Sequence, residues 1–209
     1  MKIEIREYEN KDFKVLLNII RETWNYDRFS SPKTAVKLAK VFLSSCLTNQ
    51  TFSRVAVLEG KPVGIILCKN AAIHKCPVKY RLKQVGAIAS LFFSGEGRKV
   101  SKIFESVSGI DKQLLKECGK DYPAELALFA VDSACRGRGI GKMLFQAAED
   151  YFREQNLAEF YLFTDTSCNY GFYEHQGMMR RCEKEHNFHI SGQDAEMHFF
   201  IYDYQIGKE

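Results

Sequence analysis

The sequence predicts an α/β fold, or α+β in its local segregation, built as a mixed sheet of about seven strands in a single domain. Three observations carry this. Strand-like and helix-like stretches are interleaved along the chain. A near-continuous apolar strand at residues 125–131 runs through a glycine-rich turn into an amphipathic helix, and the last two strands read as a hairpin. A length of 209 residues sits at the upper end of one domain. Residues 1–209 are therefore read as one domain carrying a mainly helical, basic insertion at about 70–122.

Residues 2–8 alternate like a strand. Residues 10–26 place Phe13, Leu16, Leu17, Ile20 and Trp24 at helical spacing. Ser31-Pro32 reads as the start of a second helix, with serine as cap and proline in the first turn. Its apolar face is Val36, Leu38, Ala39, Phe42 and Leu43. Residues 51–59 and 63–69 follow as two strands, joined by Glu59-Gly60-Lys61-Pro62, a hairpin turn signal. Residues 70–122 hold ten Lys/Arg against five Asp/Glu, a surplus of five that exceeds the net +4 of the whole chain. Ile103, Phe104, Val107, Ile110, Leu114 and Leu115 give this segment helical character, and Gly95-Glu96-Gly97 marks a break. Its charge reads either as a solvated helix face or as a positive rim that attracts an anionic ligand. After residues 125–131, a run of the kind buried on both faces, a helix sets Ile140, Leu144, Ala147, Ala148, Tyr151 and Phe152 on one side. Residues 160–164 form a strand, 172–175 a short helix, and about 178–189 and 196–204 a final hairpin turning through Ser191-Gly192-Gln193-Asp194.

Composition excludes several classes. No run approaches the roughly 20 apolar residues that span a bilayer, and the N-terminal residues lack a signal-peptide core. The seven cysteines are odd in number and contain no C-x-x-C, which fits a reducing compartment better than a disulfide framework. A cytoplasmic location is expected, with no membrane partner. His186 and His189 form an H-x-x-H in strand-like sequence, read as surface histidines, and no metal is expected. The charge excess is small and no nucleic-acid reader motif is present, so no nucleic acid is expected as a partner.

The chemistry concentrates at Arg136-Gly137-Arg138-Gly139-Ile140-Gly141-Lys142. Glycines let the backbone approach a ligand, and the first turn of a helix leaves N–H groups unpaired beside the positive end of its dipole. Such an end, flanked by Arg136, Arg138 and Lys142, is suited to a phosphate or diphosphate. A P-loop fails because Arg136 stands where its first glycine belongs and Met143 replaces the metal-binding hydroxyl. The dinucleotide G-x-G-x-x-G also fails on spacing.

The R-x-x-G-x-G arrangement of Arg136, Gly139 and Gly141 fits instead. A second segment, Asn169-Tyr170-Gly171-Phe172-Tyr173-Glu174-His175-Gln176-Gly177-Met178, resembles an F-Y-x-x-x-G-F element with methionine at its end. Together they make residues 125–178 resemble the GNAT N-acetyltransferase superfamily. The resemblance implies a mostly antiparallel sheet splayed at its centre, with helices on both faces and acetyl-CoA as acetyl donor. It implies that Phe129, Ala130 and Val131 pair with the pantetheine amides. Arg136, Gly137, Arg138, Gly139, Ile140, Gly141 and Lys142 would cradle the pyrophosphate. Tyr173 matches the family's thiolate-protonating tyrosine, against a plain reading as core aromatic. Glu125 lies where histone-type members carry a general base, against a reading as a charged strand opening. Asp132 reads as a polar strand end. Asn169 is assigned to the pantetheine arm, although the family's usual asparagine aligns with Thr166. Cys135 and Cys168 read as packing residues rather than acetyl carriers.

The expected function is transfer of acetyl from acetyl-CoA to a primary amine of a small molecule by direct attack. The alternatives are a protein lysine or N-terminal acceptor, and a non-catalytic acetyl-CoA-binding regulatory module. Residues 70–122 are expected to shape the acceptor side, and their apolar groups leave room for a homodimer.

Overall fold

A computed structural model describes residues 2–190 and 193–207. The strands are β1 (Ile3–Arg6), β2 (Phe52–Leu58), β3 (Lys61–Asn70), β4 (Ala124–Val131), β5 (Glu159–Asp165), β6 (Met179–Ile190) and β7 (Gln193–Gln205). They form one sheet in the order β1-β2-β3-β4-β5-β7-β6. Every neighbouring pair is antiparallel except β4 and β5, which are parallel. The helices are α1 (Phe13–Thr23), α2 (Pro32–Thr48), α3 (Val78–Phe92), α4 (Gly95–Cys118), α5 (Ile140–Glu154) and α6 (Gly171–His175). Ser191 and Gly192 of the expected last turn lie outside the described residues, but the two strands flanking them pair as a hairpin up to Ile190 and Gln193.

Strand periodicity sorts the core into layers. Ala56, Ile66, Phe160 and Leu162 point to the side covered by α5, where Leu144, Phe145, Ala148 and Phe152 complete the packing. Val55, Val57, Ile65 and Leu67 point the other way, against Leu16 and Ile20 of α1 and Leu38 and Leu43 of α2. On that second side, Ile110 and Leu114 of α4 cover Tyr161, Phe199 and Ile201 of β5 and β7.

The segment expected to be partly helical is two helices. The break falls at Phe93-Ser94, just ahead of the expected Gly95-Glu96-Gly97, which forms the first turn of α4: Ser94 caps that helix, its hydroxyl accepting from the Gly97 N–H at 3.1 Å. Residues 78–92 are helical as well, with no acidic residue among them. Ser31 caps α2 through the Thr34 N–H at 3.4 Å. Glu96 ties the start of α4 to that cap, accepting from the Ser31 N–H at 2.7 Å and the Ser31 hydroxyl at 2.6 Å. At the far end of α4, Cys118 contacts Cys182 of β6, sulfur to sulfur, at 2.7 Å. Among the described residues no helix is long and apolar enough to cross a membrane.

Candidate active site

One register pair, Glu125 with Tyr161, joins β4 to β5. Beyond it the two parallel strands separate, while β4 stays paired to β3 through Val131. The edge of β4 facing β5 therefore leaves backbone groups without a strand partner from Leu126 onward, and such groups need another partner if they are screened from water. β4 also carries a bulge. Leu67 pairs with Leu128 and Cys68 with Leu126, so Ala127 has no partner. The extra residue resets the alternation, which puts Leu126 in the α5-side core and Leu128 in the α1–α2 core.

A cavity of about 750 Å³ occupies the opening, within the size range of small-molecule sites. On the α5 side it is lined by Phe129, Val131, Arg136, Gly137, Gly139, Ile140, Gly141, Lys142, Asn169, Phe172 and Tyr173. On the other side it is lined by Trp24 after α1, by Phe42, Ser45, Cys46 and Asn49 of α2 and its end, and by Val107, Ser108 and Asp111 of α4. Glu125, Ala130 and Asp165 lie along the strands between. All the sequence-expected site residues except Arg138 thus meet at one cavity. Arg138 lies in the same turn but outside the lining.

The glycine turn has two different reasons for its glycines. Gly139, at φ 77°, caps α5 in a left-handed conformation, with nothing within 4 Å of where a Cβ would stand. Gly141 is helical, and a Cβ there would meet the Phe172 ring at 3.3 Å and the Phe129 ring at 3.5 Å. The first glycine thus leaves open space at the helix start for a ligand; the last lets α5 close on the aromatic pair Phe129–Phe172, whose ring centroids are 5.2 Å apart. The first bond of α5 runs from the Met143 N–H to the Gly139 carbonyl at 3.0 Å. The N–H groups ahead of it, with Arg136 and Lys142 nearby, are the donors a diphosphate requires. The residues present fit that group.

Tyr173 is 9% exposed and packs between Phe129, at 6.3 Å, and Tyr202, at 6.1 Å. Its phenol makes no hydrogen bond among the described residues. Burial pushes its pKa well up, with Cys168 and Asp165 adding to the shift, so it stays protonated at neutral pH. Glu125 accepts from Asn49 Nδ2 at 3.2 Å and sits 3.7 Å from Lys69 Nζ, and its charge adds to the burial that raises the Tyr161 phenol. Asp111 is pushed up to about 7 by desolvation, with repulsion from Asp165 and Glu125. Asp165 is also raised by desolvation, against hydrogen bonds from Ser167 that lower it.

Other candidates resolve differently. Asp132 accepts from the Ala134 N–H at 2.9 Å and caps a short 3-10 turn. Thr166, where the family's asparagine aligns, is bonded to His198 of β7 through its backbone N–H at 3.0 Å and its hydroxyl at 3.2 Å. Cys168 lines the cavity, but burial and Asp165 push its thiol up to about 12, unlike an activated nucleophile. His186 packs on the Phe188 ring at 4.5 Å. Among the described residues a different trio, Glu185, Glu196 and His198, brings ligand-capable atoms within 4.8 Å. Both carboxylates are exposed, and the histidine is bonded to Glu183 at 2.8 Å. The positive-rim reading of residues 70–122 does not hold at this cavity. Lys75, Lys79, Arg81, Lys83, Arg98, Lys99, Lys102, Lys112 and Lys116 are exposed, and none lines it. The segment contributes an acid instead, Asp111.

Residues 13–178 match the acetyltransferase (GNAT) family, and no curated protein matches the chain. Among solved structures, a protein named SsHAT superposes with a TM-score of 0.68 at 14% identity, covering 100% of both chains. The ribosomal-protein-S18-alanine N-acetyltransferase from Escherichia coli gives 0.55 at 14% identity, covering 100% of this chain and 96% of that one. The PaiA N-acetyltransferase from Thermoplasma acidophilum, in complex with coenzyme A, gives 0.50 at 16% identity over 98% and 99%. These likenesses establish the shared fold, and the family match covers most of the chain. The protein belongs to the GNAT acetyltransferase family and is an acetyl-CoA-dependent acyltransferase.

Proposed function

We propose that the chain is one catalytic domain that acetylates a primary amine of a small molecule by direct attack, with Glu125 as general base and Tyr173 as general acid. The observation that carries this reading is that both side chains line one cavity with the glycine turn. Acetyl-CoA supplies an acetyl group already activated as a thioester. The unpaired edge of β4 at Phe129, Ala130 and Val131 offers the pantetheine arm backbone partners, Asn169 offers a side-chain amide, and the turn 136–142 holds the diphosphate. Glu125 takes the proton that an alkylamine, with a pKa of about 10.4, carries at neutral pH. Asn49 and Lys69 orient its carboxylate. Tyr173 returns a proton to the leaving sulfur.

Enclosure supports a small acceptor over a protein one. α4 crosses the split sheet, its Val100 packing with the α1–α2 core and its Ile110 and Leu114 with the β5–β7 core. The stretch between them, Val107 to Asp111, roofs the cavity. Retention of both Glu125 and Tyr173 argues against a purely regulatory module. A homodimer would use the outward face of α3, where Val78, Leu82, Val85 and Phe92 are exposed. The deciding experiment is an amine-panel acetylation screen that follows thiol release, with a proteome lysate as one acceptor. Labelling confined to lysate proteins would overturn the small-molecule reading.

A further inference from the structure

The acceptor half of the cavity has an electrostatic character of its own. Asp111, Glu125 and Asp165 reach it from α4, β4 and β5. The cations of the lining, Arg136 and Lys142, belong to the glycine turn after β4. Glu125 has Asn49 and Lys69. The Asp111 carboxylate has neither a hydrogen bond nor an ion pair among the described residues, and the Asp165 carboxylate accepts only from Ser167 of its own turn. A half-buried carboxylate without a counter-charge is costly, and here it faces a second and a third. A further observation, independent of the acids, marks this cavity as built for a ligand: the Tyr173 phenol, nine-tenths buried, lines it without a partner.

We propose that the acceptor is a dication, a diamine or longer polyamine, whose reacting amine goes to Glu125 while its second ammonium is held by Asp111 and Asp165. This deepens the reading above and rests on it. The second ammonium supplies the counter-charge that the protein does not. It returns Asp111, otherwise held near 7 by desolvation and its acidic neighbours, to the ionised form. Trp24 and Phe42, with ring centroids 4.7 Å apart, form an apolar wall on the same side, against which an alkyl chain would pack. The aromatic wall by itself would also suit an arylalkyl monoamine, but such a ligand leaves Asp111 and Asp165 uncompensated.

The test compares 1,4-diaminobutane and spermidine with butylamine, phenethylamine and a lysine peptide, using kcat/KM from thiol release and calorimetric binding to the CoA-loaded protein. The diamine is expected to exceed butylamine, its monoamine counterpart, by at least about tenfold in kcat/KM. Asp111→Asn should collapse that ratio toward one, mainly through the diamine's KM, with circular dichroism confirming that the variant is folded. Equal or greater kcat/KM for butylamine, phenethylamine or the peptide overturns the proposal while leaving acetyltransfer intact. Diamine binding that is lost in Asp111→Asn, with no amine acetylated, would uphold the dication site and overturn the catalytic reading. Absence of both diamine binding and diamine turnover overturns the proposal.

Discussion

Glu125 and Tyr161 form the one register pair that joins β4 to β5, so the proposed base stands at the apex of the sheet's split. Tyr161 is 9% exposed and its pKa is raised by burial, then by Glu125 itself. It is thus a donor at any ordinary pH. Asn49 approaches the Glu125 carboxylate from the end of α2. With Lys69 of β3 at 3.7 Å, three elements together set its position and orientation, which is what a general base requires.

Glu125→Gln should therefore lower kcat by about 10²- to 10⁴-fold while leaving acetyl-CoA affinity near wild type. The amide keeps the shape and loses the proton acceptor. The deficit should shrink as pH rises toward the acceptor's own pKa of about 10.4 for an alkylamine, because the free amine needs no base. A pH–rate profile of both proteins checks this; a deficit constant across pH would assign Glu125 to positioning alone.

Gly139→Asp should raise the Kd for acetyl-CoA by about 10²-fold. Two effects combine: a carboxylate enters the anion site, and an L-residue is forced to φ 77°, at about 1–2 kcal/mol. Gly139→Ala carries only the second effect and should cost about tenfold. Calorimetry on the pair separates charge from strain. Equal losses would move the diphosphate away from this turn.

The cofactor half of the site was legible because its determinants are local. Arg136 to Lys142 are contiguous, the glycines declare a turn, and the flanking strand and helix are strongly periodic. The acceptor half was not. Trp24, Asn49, Asp111 and Asp165 come from four separate elements, and each alone is an unremarkable residue at a helix end, on a helix face or at a strand end. Only tertiary packing, with α4 laid across the split, brings them together. The same holds for the charge of residues 70–122: composition showed a basic surplus, but one acid facing inward outweighs many lysines in water. The bulge at Ala127 was hidden for another reason. In a strand apolar on both sides, a shift of alternation leaves no mark in the pattern. Residues 78–92 carry apolar groups on opposite faces, such as exposed Leu82 and buried Leu91, which blurs helical periodicity.

Asp203 should make stability acid-sensitive. Its carboxylate, 1% exposed, accepts from Lys120 at 3.0 Å, Arg181 at 2.7 Å and the Tyr122 hydroxyl at 3.1 Å. Burial alone would raise its pKa, but these partners outweigh burial and hold it below the usual carboxylate range. A depressed folded pKa gives stability that is present above the unfolded value of about 3.9 and is lost as pH falls through the folded one. Asp203→Asn should cost about 1–3 kcal/mol at pH 7, moderated because Lys120 and Arg181 remain about one-third exposed and can rehydrate. Tm measured against pH should show the two proteins converging below about pH 4. Parallel curves would mean that the network does not set the pKa.

Tyr173→Phe tests the proposed acid. The phenol is buried, unpartnered and turned to the cavity, and its raised pKa keeps the proton in place until a stronger base arrives. A free phenol near 10 is a close match for a thiol near 8.5. Burial widens that gap from the tyrosine side. The same desolvation also raises a thiol, pushing the half-buried, cavity-lining Cys168 up to about 12, so a sulfur leaving into this cavity gains basicity too. The match needed for proton transfer is thereby preserved. The phenylalanine variant keeps the ring contacts with Phe129 and Phe172 and removes only a hydroxyl that bonds nothing, so Tm should stay within a degree or two and acetyl-CoA affinity should change little. Turnover should fall about 10²-fold or more. Pre-steady-state kinetics must first establish that chemistry, rather than product release, limits the rate. If chemistry limits and turnover is unaltered, water donates the proton, and Tyr173 is an aromatic that holds α6 against the sheet.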